Sequence, residues 1–175
     1  MTNKPKPRIL AIDPTTQGFA YALLGGPSCL IDWGLTVVDG RKNPLCLLRL
    51  EKLIDRYAPD VLVLEDYNGK CSRRCLRVRK LIEASSILAR RNDLRTRRFS
   101  RGRVRRFFSS TGRATKQQIA VAIAEMYSEL APRLPRVRKP WMSEDERMSI
   151  FDATALALTY FEAHAKRSKL VAEAA

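Results

Sequence analysis

Three carboxylates stand where acids can do chemistry. Asp13 ends the apolar run RILAID, Glu65 ends DVLVLE, and Asp152 interrupts MSIFDATALAL. Groups at the carboxyl ends of strands in an α/β sheet gather in one crevice, and a helix packed on the sheet can bring its own acid to the same edge. Gathered carboxylates repel one another and lose hydration unless a cation joins them. Their hard oxygen donors suit Mg2+ or Mn2+. Two such ions about 4 Å apart activate a water and stabilise the leaving oxygen of a phosphodiester. Taken singly, the acids read as a strand-end turn former, a loop acid and a helix acid; together, in a basic chain, they point to a metal-dependent nuclease. Asp152 is the most telling, because it lies between Phe151 and the small-residue face of Ala153, Ala155 and Ala157. A fully solvated charge does not belong there.

Charge points the same way. The chain of 175 residues carries 33 Lys and Arg against 18 Asp and Glu, a formal +15, which predicts a polyanionic partner such as nucleic acid. The excess is concentrated from Lys70 to Arg106, where fifteen Lys and Arg face two acids, Glu83 and Asp93, for a net +13. So unbalanced a run repels itself without an anion. It begins just after Glu65, so Lys70, Arg73, Arg74, Arg77 and Arg79 are expected to bind phosphates beside the acids, with strong salt dependence. Tyr67 either stacks on a splayed base or is a partly buried loop tyrosine.

The elements that must position these residues follow from periodicity. Arg8–Asp13, Gly18–Leu24 and Cys29–Val38 are predicted strands of an antiparallel meander, with a four-residue turn between the first two. Leu45–Tyr57 takes a helical period, with Leu47, Leu50 and Ile54 on one stripe, and Pro59 follows its end. Asp60–Glu65 is nearly continuously apolar, as in a parallel strand buried on both faces. After a loop with Asn68-Gly69 as its turn signal, Arg74–Asn92 is predicted helical and Leu94–Ser100 a further strand. Thr115 and Gln118 form a capping box for a helix to Leu130, and Ser143 with Glu146 a second one, opening a helix to about Ala165. Arg133–Trp141 is a basic, proline-punctuated loop. The whole reads as one α/β domain, a mixed five-stranded sheet flanked by helices, with ends 1–7 and 166–175 expected to fray.

Composition excludes other classes. With 45% hydrophobic residues the chain can build a core, and no run of 18 apolar residues exists to cross a membrane. The apolar stretch behind the basic N-terminus carries Asp13 and Gln17, unlike a secretory signal. Cys29, Cys46, Cys71 and Cys75, with the single His164, lack zinc spacing and read as reduced thiols. A cytoplasmic or equivalent reducing compartment is expected, with phage and organelle left open.

The order ILAIDP, VLVLEDY and FDATALALTY resembles the RuvC-type Holliday junction resolvases of the ribonuclease H-like superfamily, across nearly the whole chain. The stretch GRVRRFFSSTGRATKQQIAVAIAEM is similar to that family's passage from the fifth strand into the next helix. The resemblance implies a ribonuclease H-like fold and a homodimer cutting four-way or branched DNA with Mg2+ or Mn2+, two ions per site. Asp13, Glu65 and Asp152 would hold the metals. Lys116, with Arg105, would contact the phosphate and stabilise the charge that builds on it. The apolar face of Leu76 to Leu88 is the candidate dimer interface.

Three departures from the family's pattern are visible. Thr15 stands where a glycine usually follows the first Asp-Pro. The turn to Gly18 is about two residues shorter. Ser149 stands where an Asp or His commonly supplies a fourth ligand, and a hydroxyl is a poorer ligand for Mg2+ than a carboxylate. Asp145 lies two helical turns, about 10 Å, from Asp152, and Glu146 is already used by the capping box, so neither replaces it readily. Two rivals remain: a ribonuclease of the same fold that processes rRNA, and a nucleic-acid-binding protein whose metal site has decayed.

Overall fold

The strand periodicities place two apolar faces back to back on one sheet. In the computed structural model, which describes residues 7–68, 73–109 and 111–173 (the last six by backbone alone), five strands assemble in the order β3-β2-β1-β4-β5. These are β1 (Ile9–Pro14), β2 (Gly18–Gly26), β3 (Cys29–Val37), β4 (Val61–Glu65) and β5 (Arg95–Phe99). The first three form the expected antiparallel meander, and β4 and β5 extend it in parallel from β1.

The turn between β1 and β2 explains one departure. The Thr15 hydroxyl accepts the Gly18 N–H at 3.0 Å, and the Thr15 N–H donates to the Gly18 carbonyl at 2.9 Å. A threonine thus closes by hydrogen bonding a turn that glycine would close by conformational freedom. Gly18 is fixed by space, since a Cβ there would lie 1.8 Å from the Thr36 carbonyl oxygen across the ladder.

Because side chains alternate along a strand, the sheet separates two cores. Leu10, Ile12, Leu62 and Leu64 face α1 (Lys42–Tyr57) and α2 (Leu76–Arg91). Ile9, Ala11, Val61 and Val63 face α4 (Lys116–Met126) and the long α5 (Met148–Glu173). On α5, Ala153, Ala155 and Ala157 are at most 1% exposed. Their small side chains bring the helix close to the sheet, as the sequence leads one to expect. Thr154 and Thr159, also buried there, donate their hydroxyls to the carbonyls of Ile150 and Ala155, each at 2.8 Å, so no polar group is stranded by that approach.

Several local expectations need correction. The basic stretch after β5 is itself a helix, α3 (Arg101–Phe108), whose N-terminus is capped by the Ser100 hydroxyl accepting the Arg103 N–H. The capping box of Thr115 and Gln118 forms, but α4 ends at Met126 rather than Leu130. The second box does not form. Residues 143–147 are turn and irregular chain, and α5 starts at Met148. Asp145 prepares that start: its carboxylate accepts the Arg147 N–H at 2.9 Å, and its carbonyl accepts the Met148 N–H at 2.9 Å. A Ser-x-x-Glu pattern is a local signal, and here an acid inside the pattern outcompetes it. At the other end α5 continues to Glu173, past the expected stop near Ala165. No helix of the described residues is long and apolar enough to cross a membrane.

Candidate functional site

Register brings the first two acids together. In the parallel pairing of β1 with β4, Ile9 sits opposite Val61 and Ala11 opposite Val63. Two residues further along, Asp13 and Glu65 end their strands level with each other, on the face that looks toward α5. Asp152, in the second turn of α5, completes the edge. All three line one cavity, together with Phe99, Arg101, Val104, Arg105, Lys116 and Ile119. The crevice expected at the carboxyl ends of the strands is therefore where the candidate acids meet. Asp13 and Glu65 are each 3% exposed, while the Asp152 side chain is half-buried at 22%.

Burial on this scale demands compensation, and the chain supplies its own cations. The Arg74 guanidinium bridges Asp13 and Glu65: Nη2 bonds Asp13 Oδ1, and Nε donates to Glu65 Oε2 at 2.7 Å. Its Nη1 also donates to the Pro14 carbonyl at 2.9 Å. Arg101 Nε donates to the other Glu65 oxygen at 3.0 Å. Lys116 Nζ lies 2.8 Å from Asp152 Oδ2 and 2.8 and 2.9 Å from the two oxygens of Glu144.

These surroundings separate the two buried acids. Burial pushes Asp13 up to about 6 although Arg74 works against it, and the nearby charges of Asp152 and Glu65 add to the rise. Burial also pushes Glu65 upward, but Arg74 and Arg101 outweigh it and hold the carboxyl below its ordinary value. For Lys116, burial opposes the charge, and the partnership with Asp152 more than restores it.

Carboxylate oxygens at one sheet edge suit a hard divalent ion, and the point between Asp13 and Glu65 already holds a cation, the guanidinium of Arg74. The donor set therefore fits such an ion in kind. Among the described residues, no three acidic, histidine or cysteine side chains are placed together as ligands of one ion. Ser149 lines a neighbouring cavity with Asp13, Asp145, Glu146 and Asp152, but its hydroxyl donates to the Glu146 carbonyl at 2.6 Å. Asp145 is committed to Arg147, with Nε at 3.0 Å from Oδ1.

The basic apparatus divides in two. Arg74 and Arg77, expected at the phosphates, are engaged within the chain. Arg77 donates to Asn43 Oδ1 at 2.8 Å and also bonds the Thr15 carbonyl, tying α2 to the β1–β2 turn. Arg73 is exposed, and Arg79 is exposed with its Nε on the Arg74 carbonyl. Arg105 lines the acid cavity. Tyr67 leans on α2, its hydroxyl 2.6 Å from Glu83 Oε1 and the Arg79 guanidinium 5.6 Å from its ring centre. Lys70 and Cys71 lie outside the described residues. Cys29, Cys46 and Cys75 are free thiols. On the candidate dimer face, Leu76 and Ile87 are 68% and 50% exposed, whereas Leu81 belongs to the core of its own chain.

Sequence reasoning missed Arg101 and Glu144 as members of the site. A signal for Arg101 existed: Glu65 pairs with Phe99 in β4–β5, so residues just past Phe99 reach the same crevice. No comparable signal marked Glu144, whose position depends on how the irregular segment before α5 folds back onto Lys116.

Proteins similar to this chain include resolvases of DNA junctions. No protein-family model matches the chain. The crossover junction endodeoxyribonuclease RuvC of Chloroherpeton thalassium is 30% identical over 110 residues, covering 62% of this chain and 52% of that protein. The match thus spans about half the length of that curated relative. Among solved structures, Thermus thermophilus RuvC in complex with Holliday junction substrate superposes with a TM-score of 0.67 at 16% identity, covering 90% of this chain and 94% of that one. The yeast mitochondrial Holliday junction resolvase gives 0.55 at 14% identity, over 90% of this chain and 78% of that one. The resemblance read from the three acid-bearing segments is borne out, and so is the fold: a mixed five-stranded, ribonuclease H-like sheet with helices on both faces.

Proposed function

We propose that the chain is a divalent-metal-dependent endonuclease that cuts four-way DNA junctions, acting as a homodimer of the RuvC type. The observation that carries the reading is the meeting of Asp13, Glu65 and Asp152 with Lys116, Arg101 and Arg105 around one crevice at the strand ends. The similar proteins, named for crossover junctions or solved with a Holliday junction, supply the substrate class.

Asp13 and Glu65, with Asp152 across the crevice, would hold Mg2+ or Mn2+, whose chemistry when bound is to activate water and neutralise charge at the phosphodiester. Lys116 and Arg105, which line the same crevice, would hold the scissile phosphate. Lys116 is fixed for this by the capped start of α4, a position that itself favours anions. Buried apolar groups that line the same crevice, Val104 and Ile119 among them, lower the local dielectric and so strengthen each charge in it.

Incubation of the purified protein with a four-way DNA junction and with structured RNA, in Mg2+ or Mn2+, tests the reading. Symmetric cuts in the DNA junction are expected; cleavage of RNA alone would assign the chain to a ribonuclease of the same fold. A second reading has a specific observation in its favour: every acid of the site is already paired with a cation of the chain itself. On that reading the protein binds nucleic acid without cutting it, and no metal would elicit cleavage.

DNA affinity should divide along the same lines as the basic residues. Replacing exposed Arg73 and Arg79 with Ala is expected to weaken junction binding and to reduce the slope of log K against log salt by about 1 for each phosphate no longer neutralised. An unchanged slope in an electrophoretic or fluorescence titration would place the DNA surface elsewhere.

A further inference from the structure

Arg74 stands where a metal-binding acid pair would receive its ion. Two carboxylates, each 3% exposed, and the Pro14 carbonyl close on its guanidinium, while its own side chain keeps 15% exposure. It is thus tightly held yet reachable from solvent. It lies just before α2, the helix packed on the opposite face of the sheet from α5. With Arg101 on Glu65, Lys116 shared by Asp152 and Glu144, and Arg105 lining the same cavity, four acids face four cations, so the crevice is electrically compensated. A divalent ion added to a compensated cluster meets no net negative charge. It also meets two acids whose inner oxygens are already used.

A guanidinium binds phosphate in the same forked geometry as carboxylate. A phosphodiester arriving at the crevice is therefore an alternative partner for Arg74, and a divalent ion is an alternative partner for the acids it leaves. The exchange trades one set of opposite-charge pairs for another and leaves no charge buried alone. Resting on the nuclease reading above, we infer that Arg74 is a built-in counter-ion that closes the Asp13–Glu65 pair to divalent metal until the phosphate of bound DNA draws it away. Arg74 then couples two binding events: DNA raises metal affinity, and metal raises DNA affinity by the same factor. Without DNA the acids stay closed, which guards against metal uptake and stray hydrolysis.

The test is direct Mn2+ binding, read as free Mn2+ by electron paramagnetic resonance, on full-length protein with no activity assay involved. Arg74→Gln keeps a neutral donor at the place of Nε, beside Glu65, and Arg74→Ala removes it. Arg49→Gln, on exposed α1 surface, controls for the loss of one positive charge. Without DNA, both Arg74 variants should bind Mn2+ at least tenfold more tightly than wild type, Arg49→Gln should match wild type, and adding Asp13→Asn should abolish the gain. Mn2+ should also raise the melting temperature of Arg74→Gln more than that of wild type, which shows that the variant is folded. A phosphorothioate-substituted four-way junction should tighten Mn2+ binding to wild type and leave Arg74→Gln unchanged. If Mn2+ binds in an Asp13-dependent way but equally to wild type and both Arg74 variants, the inference falls and the metal-centre reading stands. If no variant shows Asp13-dependent Mn2+ binding, with or without the junction, both fall.

Discussion

Asp152→Asn is expected to abolish junction cleavage while leaving junction binding within a fewfold of wild type. Asp152 faces the crevice from α5 and holds Lys116 by a 2.8 Å ion pair. The substitution keeps the shape and removes the charge that is proposed to help hold a metal and that fixes the lysine. The several kcal/mol that a bound ion supplies to a phosphodiester transition state correspond to a loss of at least roughly 10³-fold. Binding should survive, because phosphate contacts are expected from Lys and Arg elsewhere on the surface.

Asp13→Asn should do the same, and it separates catalysis from folding. Burial holds Asp13 at about 6, above its value in an unfolded chain. Its ionisation therefore works against folding, and the advantage of the neutral form, full below the unfolded value, is lost as pH rises through about 6. Asn is free of that penalty, so at pH 8 the variant should melt no lower than wild type while cutting nothing. Cleavage at the wild-type rate by either variant in Mg2+ would overturn the proposed centre.

Lys116→Ala is expected to slow the cutting step about 10²-fold, or about 2.7 kcal/mol, on DNA saturated with enzyme, the loss seen when one charge-stabilising donor is removed. The structure sharpens the argument. Lys116 begins α4, where the Thr115–Gln118 capping box fixes the first turn, and its ammonium reaches both Asp152 and Glu144. An ammonium held on the acid edge is positioned to gain interaction energy as a phosphorane collects charge. A lysine that only anchors ground-state phosphate would behave differently: the Ala variant would bind less tightly and cut normally once saturated. Single-turnover rates at saturating enzyme decide, and an unchanged rate leaves Lys116 a binding residue.

Much of the frame was legible because it rests on local periodicity. The apolar runs around Asp13 and Glu65 are strands whose alternation puts Ile9, Ala11, Val61 and Val63 on one face and Leu10, Ile12, Leu62 and Leu64 on the other. The alanines beside Asp152 foretold a helix pressed against the sheet, because only small side chains allow that approach. The strand-end positions of Asp13 and Glu65 followed from the runs themselves. Their meeting required the parallel register of β1 on β4, which a buried sheet specifies strongly since a one-residue slip of either strand would turn its acid into the other core.

The partners of the acids were decided by tertiary structure alone. Arg74 lies in a stretch of similar arginines, and nothing local distinguishes it from Arg73, Arg77 or Arg79. It reaches Asp13, 61 residues away, only because the chain entering α2 passes the sheet edge at that point. Arg77, three residues on, is drawn instead to the Thr15 carbonyl and Asn43. A net charge of +15 points to an anionic partner. Which cations are spent inside and which remain for that anion depends on where long, flexible side chains find buried carboxylates, and such pairing across the fold leaves no trace in spacing or composition.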